Sequence, residues 1–324
     1  MSCHPVRPEW YANYQMHPLV QRRRARVFRR ELGGAHTTAD AVLMWGSWFH
    51  PWSADSPKTA YFHYIDQSRA LEPAFGEPVR PSRSRIRSHA LQQRTYRDCS
   101  GIFCMSEWAS SQTAAAHPAA ASKCQVVGWG PCSVDLSHEE MPARRGDPLI
   151  LHVSNDFHRK GVDYLIQVAR VVRGQFPRAR FVVVGRDKKD PDLGEHEGVE
   201  FLGLVRDRER LAAMFREASL FLLPHRFDRS PHVLVEAMSC GLPLVASRQG
   251  GAIELIDGTG VGCLVEVGDV QGYSDAISSI LERPELAHTM GARGKELVRT
   301  RYNWGSIAQR IVGAISASVS PATA

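Results

Sequence analysis

Residues 149–185 read LILHVSNDFHRKGVDYLIQVARVVRGQFPRARFVVVG. The runs Leu149-Ile-Leu-His-Val and Phe181-Val-Val-Val-Gly are short and apolar at successive positions, as strands covered on both faces must be. Between them Val162, Leu165, Ile166, Ala169 and Val172 recur at helical spacing over residues 161–175. Strand, helix, strand in this order predicts a parallel, doubly wound α/β sheet. The alternation continues outward. Glu200-Phe-Leu-Gly, Leu220-Phe-Leu-Leu and Leu242-Pro-Leu-Val-Ala read as further strands, with helices over 207–217 and 232–240, the second stopped by Gly241 and Pro243.

Upstream the pattern is looser but of the same kind. Strands are expected at Ala41-Val-Leu-Met-Trp-Gly-Ser, Thr59-Ala-Tyr-Phe-His-Tyr-Ile-Asp, Gly101-Ile-Phe-Cys-Met-Ser and Cys124-Gln-Val-Val-Gly, and helices near 18–32, 83–97 and 107–116. The 324 residues suit two domains. The expected boundaries are 1–133 for the first, a polar, Pro- and Gly-bearing linker over 134–147, 148–312 for the second, and a frayed, uncharged tail over 313–324.

Apolar residues at 43% and charged residues at 23% exclude a disordered or collagen-like chain. The net charge of +6 suits an anionic ligand, a nucleic acid or a membrane surface without choosing among them. Seven cysteines, with no C-x-x-C and mostly inside apolar runs, read as reduced core thiols of a cytoplasmic protein. No secretion signal is recognisable, and no stretch reaches the roughly 18 apolar residues of a membrane helix.

The chemistry concentrates in Phe227-Asp-Arg-Ser-Pro-His-Val-Leu-Val-Glu-Ala-Met-Ser-Cys-Gly-Leu-Pro-Leu-Val-Ala. Ser230 followed by Pro231 reads as an N-cap with proline in the first turn, leaving the N–H groups near His232 and Val233 open to an anion where strand 220–223 ends. Asp228 and Glu236 flank that site. Carboxylates would repel a phosphate, so they fit only as partners of hydroxyls, and a sugar nucleotide supplies both features.

These residues resemble the family-4 retaining glycosyltransferases of the GT-B fold. Their hallmark, Glu-x7-Glu followed by Ala-Met-x-x-Gly-x-Pro-Val, is matched by Asp228-x7-Glu236 running into Ala237-Met-Ser-Cys-Gly-Leu-Pro-Leu. The resemblance implies that Glu236 holds the nucleotide ribose and Asp228 contacts the donor sugar. Asp is one methylene shorter than Glu, and Arg229-Ser230-Pro231 replaces Gly-Phe-Gly, so an altered sugar pocket is expected. In His152-Val-Ser-Asn-Asp-Phe-His-Arg-Lys-Gly the family's Lys-Gly is kept as Lys160-Gly161, while Ser154-Asn155 replaces Gly-Arg. Asn155 then joins Ser230, His232, Val233 and Glu236 as a donor-binding residue, and Arg159 and Lys160 neutralise the leaving diphosphate. The similarity covers nearly all of 148–310 and includes Gly250-Gly251 and Tyr302-Asn-Trp304.

In the first domain the order of strand ends is kept, and Asp66 carries over as a catalytic residue, whereas Ile65 stands where many members have His. No opening strand or glycine-rich turn precedes residue 40, so the first of the two Rossmann-like domains facing across the cleft is expected to be abbreviated. The D-x-D within Lys188-Lys-Asp-Pro-Asp192 reads as loop, and His152 and His158 lack a third ligand at metal spacing, so no metal is expected. Residues 19–32, with six arginines among apolar positions, read either as a solvated helix or as a peripheral contact with the inner face of a membrane.

The implied function is a metal-independent hexosyl transfer, with retention, from a nucleotide diphospho-sugar to a carbohydrate or lipid-linked acceptor, in polysaccharide or related biosynthesis. No further cofactor and no nucleic acid enter. Two alternatives stay open: a GT-B sugar-nucleotide epimerase, and a non-catalytic nucleotide-sugar-binding partner of another transferase.

Overall fold

The computed structural model describes residues 27, 30, 39–46, 59–67, 83–140, 146–154, 156–185 and 198–319. The chain divides into two compact units, Met1–Val127 with Gln309–Ala324, and Gly128–Ala308.

The first unit holds four parallel strands in the order β1-β2-β3-β4: β1 (Ala41–Trp45), β2 (Ala60–Ile65), β3 (Gly101–Cys104) and β4 (Cys124–Val126). Helices α1 (Arg83–Asp98) and α2 (Glu107–Ala116) and a 3-10 turn over Pro118–Lys123 connect the last three. Tyr61 to Ile65 are buried at every position, because β2 has a strand on each edge and side chains packed on both faces. Ile65, Tyr96, Cys99, Ile102, Cys104, Ala109 and Ala120 form the core.

The second unit carries six parallel strands: β5 (Leu149–Val153), β6 (Arg180–Val184), β7 (Val199–Gly203), β8 (Leu220–Leu223), β9 (Leu244–Ser247) and β10 (Gly262–Val265). Their order is β10-β9-β8-β5-β6-β7. The chain therefore builds outward from β5 through β6 to β7, then crosses back to β8 and builds the other way. That reversal puts a topological switch point between β5 and β8, where the loops leaving the two strands diverge and a ligand crevice forms. Helices α3 (Val162–Gln175), α4 (Arg208–Glu217), α5 (His232–Ser239), α6 (Ala252–Ile256), α7 (Val270–Leu281) and α8 (Pro284–Thr300) follow, and α9 (Trp304–Val319) begins in this unit, its residues from Gln309 on being grouped with the first. The buried stripe Leu165, Val168, Ala169 and Val172 of α3 packs with Phe181 and Val183 of the sheet and Tyr273 and Ile277 of α7. Each Val, Leu, Ile or Phe side chain so removed from water contributes roughly 1.5–3 kcal/mol.

The structure corrects several expectations. Residues 313–319 are helical, continuing α9 to Val319, where a frayed tail was expected from 313. Ala and Ser tolerate a helix, so the absence of charge does not by itself mark a frayed end. Residues 128–140 belong to the second unit rather than to the first domain and its linker: Trp129, Val134 and Leu136 are buried, and the Leu136 N–H donates to Ser239 Oγ at 3.2 Å. Cys132 is exposed, not a core thiol, whereas Cys99, Cys104 and Cys240 are buried. Strand β10 and helices α6 to α9 were not read from the sequence as elements. Of the basic segment 19–32 only Val27 and Arg30 are described, both helical and exposed.

Candidate donor-nucleotide site

A cavity of about 410 Å³ lies at the carboxyl ends of β5, β6 and β8, within the second unit. Its polar lining includes Ser154, Lys160, Asp228, Ser230, His232 and Glu236; Val184, Leu204 and Val205 provide apolar surface. A larger groove of about 950 Å³ sits at the opposite, amino ends of β5 and β8, beside α8. Glu139, Glu140, Asp147 and Glu217 line it against only Lys295 and Arg299 as fixed cations, so its charge disfavours a phosphate. The smaller cavity is the better anion site.

Lys160 and Asp228 are brought together from the loops after β5 and β8. Their side chains are only 11% and 13% exposed, so water contributes little to keeping either charge. Burial pushes the Asp228 carboxyl up, but the Lys160 ammonium, with His225 and Arg159, outweighs that and holds it below the ordinary carboxylate value. Gly161 makes the approach possible. It has φ +69°, and a Cβ there would overlap the Pro224 carbonyl oxygen. Gly250 and Gly251 do the same for the other loop, since side chains there would strike the Asp228 and Arg229 carbonyl oxygens. The glycines flanking both loops are there for backbone contact.

Arg159 does not line the cavity. Its Nε donates to Asp156 Oδ2 at 2.9 Å and its guanidinium to the Phe227 carbonyl at 3.3 Å, a brace between the two loops. Arg226 makes a second brace, bidentate to Asp163 at 2.7 Å and seated over the Tyr164 ring.

Helix α5 starts at His232, not at Pro231. Pro231 has ψ 89°, outside the helical region, and occupies the cap position with no side-chain hydrogen bond. Ser230 is therefore not the N-cap. Its hydroxyl is buried, lines the cavity and has no partner among the described residues. The N–H groups of His232 and Val233, at the first positions of the helix, have no carbonyl a turn earlier to bond. Glu236, one turn on, is 5% exposed. Its Oε1 accepts from the Cys132 N–H at 3.1 Å and the Ser133 N–H at 2.6 Å, while Oε2 makes no hydrogen bond to the described residues. One carboxylate oxygen is anchored and the other remains for a ligand.

Two histidines stand behind the site. His152 is fully buried, with Nδ1 on the Leu222 carbonyl at 2.8 Å and Nε2 on Ser154 Oγ at 2.8 Å. Burial holds its pKa down at about 4. His225, bridging the Leu223 and Gln249 carbonyls, is lowered by burial too. His152 is therefore neutral at pH 7 and adds no charge to the cavity.

Of the expected site residues, Lys160, Asp228, Ser230, His232, Val233 and Glu236 line one cavity. Arg159 stands behind it, Asp66 follows β2 in the first unit, and Asn155 lies outside the described residues, as does the D-x-D of 190–192. Sequence reasoning missed Ser154 and the 130–133 loop, whose signal was the turn-forming Gly128-Trp-Gly-Pro. Among the described residues no group of three or more His, Cys, Asp or Glu could hold a metal ion, and no helix is long and apolar enough to cross a membrane.

A six-stranded parallel sheet of this order, with helices between its strands and a cavity at its switch point, is a Rossmann-like domain. With a second parallel α/β unit in the same chain it makes the GT-B fold. Over 91% of its length the chain matches sucrose-phosphate synthase from Thermosynechococcus elongatus, covering 77% of that chain with a TM-score of 0.69 at 20% identity. Residues 134–297, just over half the chain, match the family described as glycosyl transferases group 1, and the chain belongs to that family. It is 33% identical over 175 residues, 52% of its length, to a phosphatidyl-myo-inositol mannosyltransferase of Mycolicibacterium smegmatis, covering 45% of that protein. It is 28% identical over 183 residues, also 52% of its length, to a GDP-mannose-dependent alpha-(1-6)-phosphatidylinositol monomannoside mannosyltransferase of the same organism, covering 48% of it. The chain thus spans about half the length of the relatives it matches.

The buried, neutral His152 sets an acid limit on stability. The folded pKa of His152 lies below its unfolded value near 6.5, so the unfolded chain binds more protons between the two and stability falls as pH drops from about 6.5 to 4, by about 3 kcal/mol in all. Asp228, also lowered, adds a further loss below its unfolded value of about 3.9. Thermal melting between pH 8 and 4 should show this decline, and His152→Gln should reduce its slope; an unchanged slope in that variant would contradict the assignment.

Proposed function

We propose that the protein is a retaining glycosyltransferase that moves a hexosyl group from a nucleotide diphospho-sugar to an acceptor hydroxyl. The observation that carries this reading is one cavity, at the switch point of a parallel sheet, combining a buried lysine, the first N–H groups of a helix and a carboxylate with one oxygen uncommitted. The ribose hydroxyls of the donor bond Glu236 Oε2, and the diphosphate lies by Lys160 and the N–H groups of His232 and Val233. Ser230 Oγ, buried and otherwise unpaired, donates to a donor oxygen. Asp228 meets the sugar hydroxyls. Arg159 acts behind the cavity by bracing the Asp228 loop, and Asn155 remains assigned to the donor by its place in the sequence pattern.

As the bond from the anomeric carbon to the diphosphate oxygen breaks, negative charge builds on that oxygen beside Lys160, and the acceptor oxygen bonds to the same face of the carbon while its hydroxyl proton passes to the departing diphosphate. Asp66 serves the acceptor hydroxyl in this scheme. A metal ion has no part in it, because Lys160 and the helix N-terminus carry the charge balance. The names of the relatives make GDP-mannose the first donor to try and a phosphatidylinositol-based lipid the first acceptor. Peripheral contact of residues 19–32 with the inner face of a membrane suits such an acceptor.

Calorimetry with GDP, UDP and ADP should give binding to at least one, and Glu236→Ala should weaken it about 10- to 100-fold, as expected for loss of hydrogen bonds to a charged group. Binding to none of the three would refute the donor site, and donor turnover without acceptor would point to an epimerase. Arg22, Arg23 and Arg24 to Ala should lower co-sedimentation with anionic liposomes; wild-type levels of sedimentation would remove the membrane contact.

A further inference from the structure

The N–H of Cys132 that binds Glu236 Oε1 and the C=O of Pro131 belong to one peptide unit, which is planar and rigid. That carbonyl accepts from the indole Nε1–H of Trp304 at 2.7 Å. A single amide plane is therefore gripped at both ends, by Trp304 at its oxygen and by the Glu236 carboxylate at its nitrogen. Trp304 opens helix α9, whose first turn is fixed by Asn303, with Oδ1 accepting from the Ser306 N–H at 2.8 Å and Nδ2 donating to the Arg299 carbonyl at 2.7 Å. The indole lies so close to the loop that a Cβ at Gly130 would sit 2.8 Å from Nε1. The Gly130 carbonyl in turn accepts from His232 Nδ1 at 2.8 Å, tying the loop to the start of α5.

We propose that Trp304 is a positioning residue for the donor site, holding the Pro131–Cys132 peptide so that Glu236 Oε1 stays anchored and Oε2 stays turned to the cavity. The coupling is electronic as well as geometric. The negative carboxylate polarises the amide and strengthens its oxygen as an acceptor, so the bonds at the two ends of the plane reinforce each other. Nothing in the spacing of 172 residues between Cys132 and Trp304 makes this link visible in the chain itself. The inference rests on the reading of Glu236 as a ligand of the donor nucleotide, but its first test does not need a nucleotide.

In a proton–nitrogen correlation spectrum of the full chain, the Trp304 indole resonance, assigned by its disappearance in Trp304→Phe, should shift when Glu236→Gln removes the carboxylate charge. An unmoved resonance would overturn the coupling. In calorimetry with the nucleoside diphosphate that binds best, Trp304→Phe should weaken affinity about 3- to 10-fold, the size of one hydrogen bond. The same substitution in a Glu236→Gln background should change affinity by about twofold or less, because coupled residues do not add. An equal loss in both backgrounds would reduce Trp304 to a structural role. A shifted indole resonance with no nucleotide binding would keep the coupling and overturn the donor-site reading, whereas Trp304→Phe with unchanged affinity would overturn the positioning role alone.

Discussion

A buried ion pair between Lys160 and Asp228 is the constraint on which the second unit's site depends. The two residues are separated by 68 positions in sequence and meet only because β5 and β8 are neighbours in the sheet. Removing one partner of such a pair leaves an uncompensated buried charge, a cost of about 3–5 kcal/mol. The surroundings are arranged to keep both in place. Gly161, Gly250 and Gly251 let backbone pass against backbone, Arg159 and Arg226 brace the loops from behind, and His152 and His225 fill the space beneath with doubly hydrogen-bonded rings. Much of what the sequence shows as polar around the site is structural support for this pair.

Glu236 depends on a different support. It sits on α5, but its orientation comes from the 130–133 loop, whose two N–H groups bind one oxygen. An unneutralised carboxylate at 5% exposure would be costly; two N–H donors offset that cost and still leave Oε2 available. Ser230 shows the converse case, a buried hydroxyl with no partner among the described residues, which a hydroxyl or phosphate oxygen of a ligand would satisfy.

The strands from Leu149 to Ala246 were legible because strands buried on both faces write continuous apolar runs, and α3 was legible because its stripe is regular. Glu236 was legible from its spacing to Asp228 and from the Ala-Met-Ser-Cys-Gly-Leu-Pro that follows. What sequence reasoning could not give are the contacts that topology makes. Lys160 read as a phosphate cation and Asp228 as a sugar ligand, and their pairing appears only once β8 is known to lie beside β5. Residues 130–133 read as the end of the first domain, yet that loop meets Trp304 and Glu236 in the second unit. Ser230 read as an N-cap because Ser-Pro commonly opens a helix, but the ψ of Pro231 delays the helix by one residue. Residues 313–319 read as a tail because they carry no charge, although Ala, Ser and Ile support a helix well enough to extend α9.

The chain belongs to the glycosyl transferases group 1 family and has the GT-B fold, and the cavity lined by Lys160 and Glu236 is where we place the proposed donor. A crystal structure of the protein soaked with GDP or UDP tests this most directly. The account predicts the nucleotide at the carboxyl ends of β5 and β8, with its ribose hydroxyls on Glu236 Oε2 and its diphosphate beside Lys160 and the N–H groups of His232 and Val233. A nucleotide found instead in the acidic groove beside α8, or ribose density out of reach of Glu236, would contradict it.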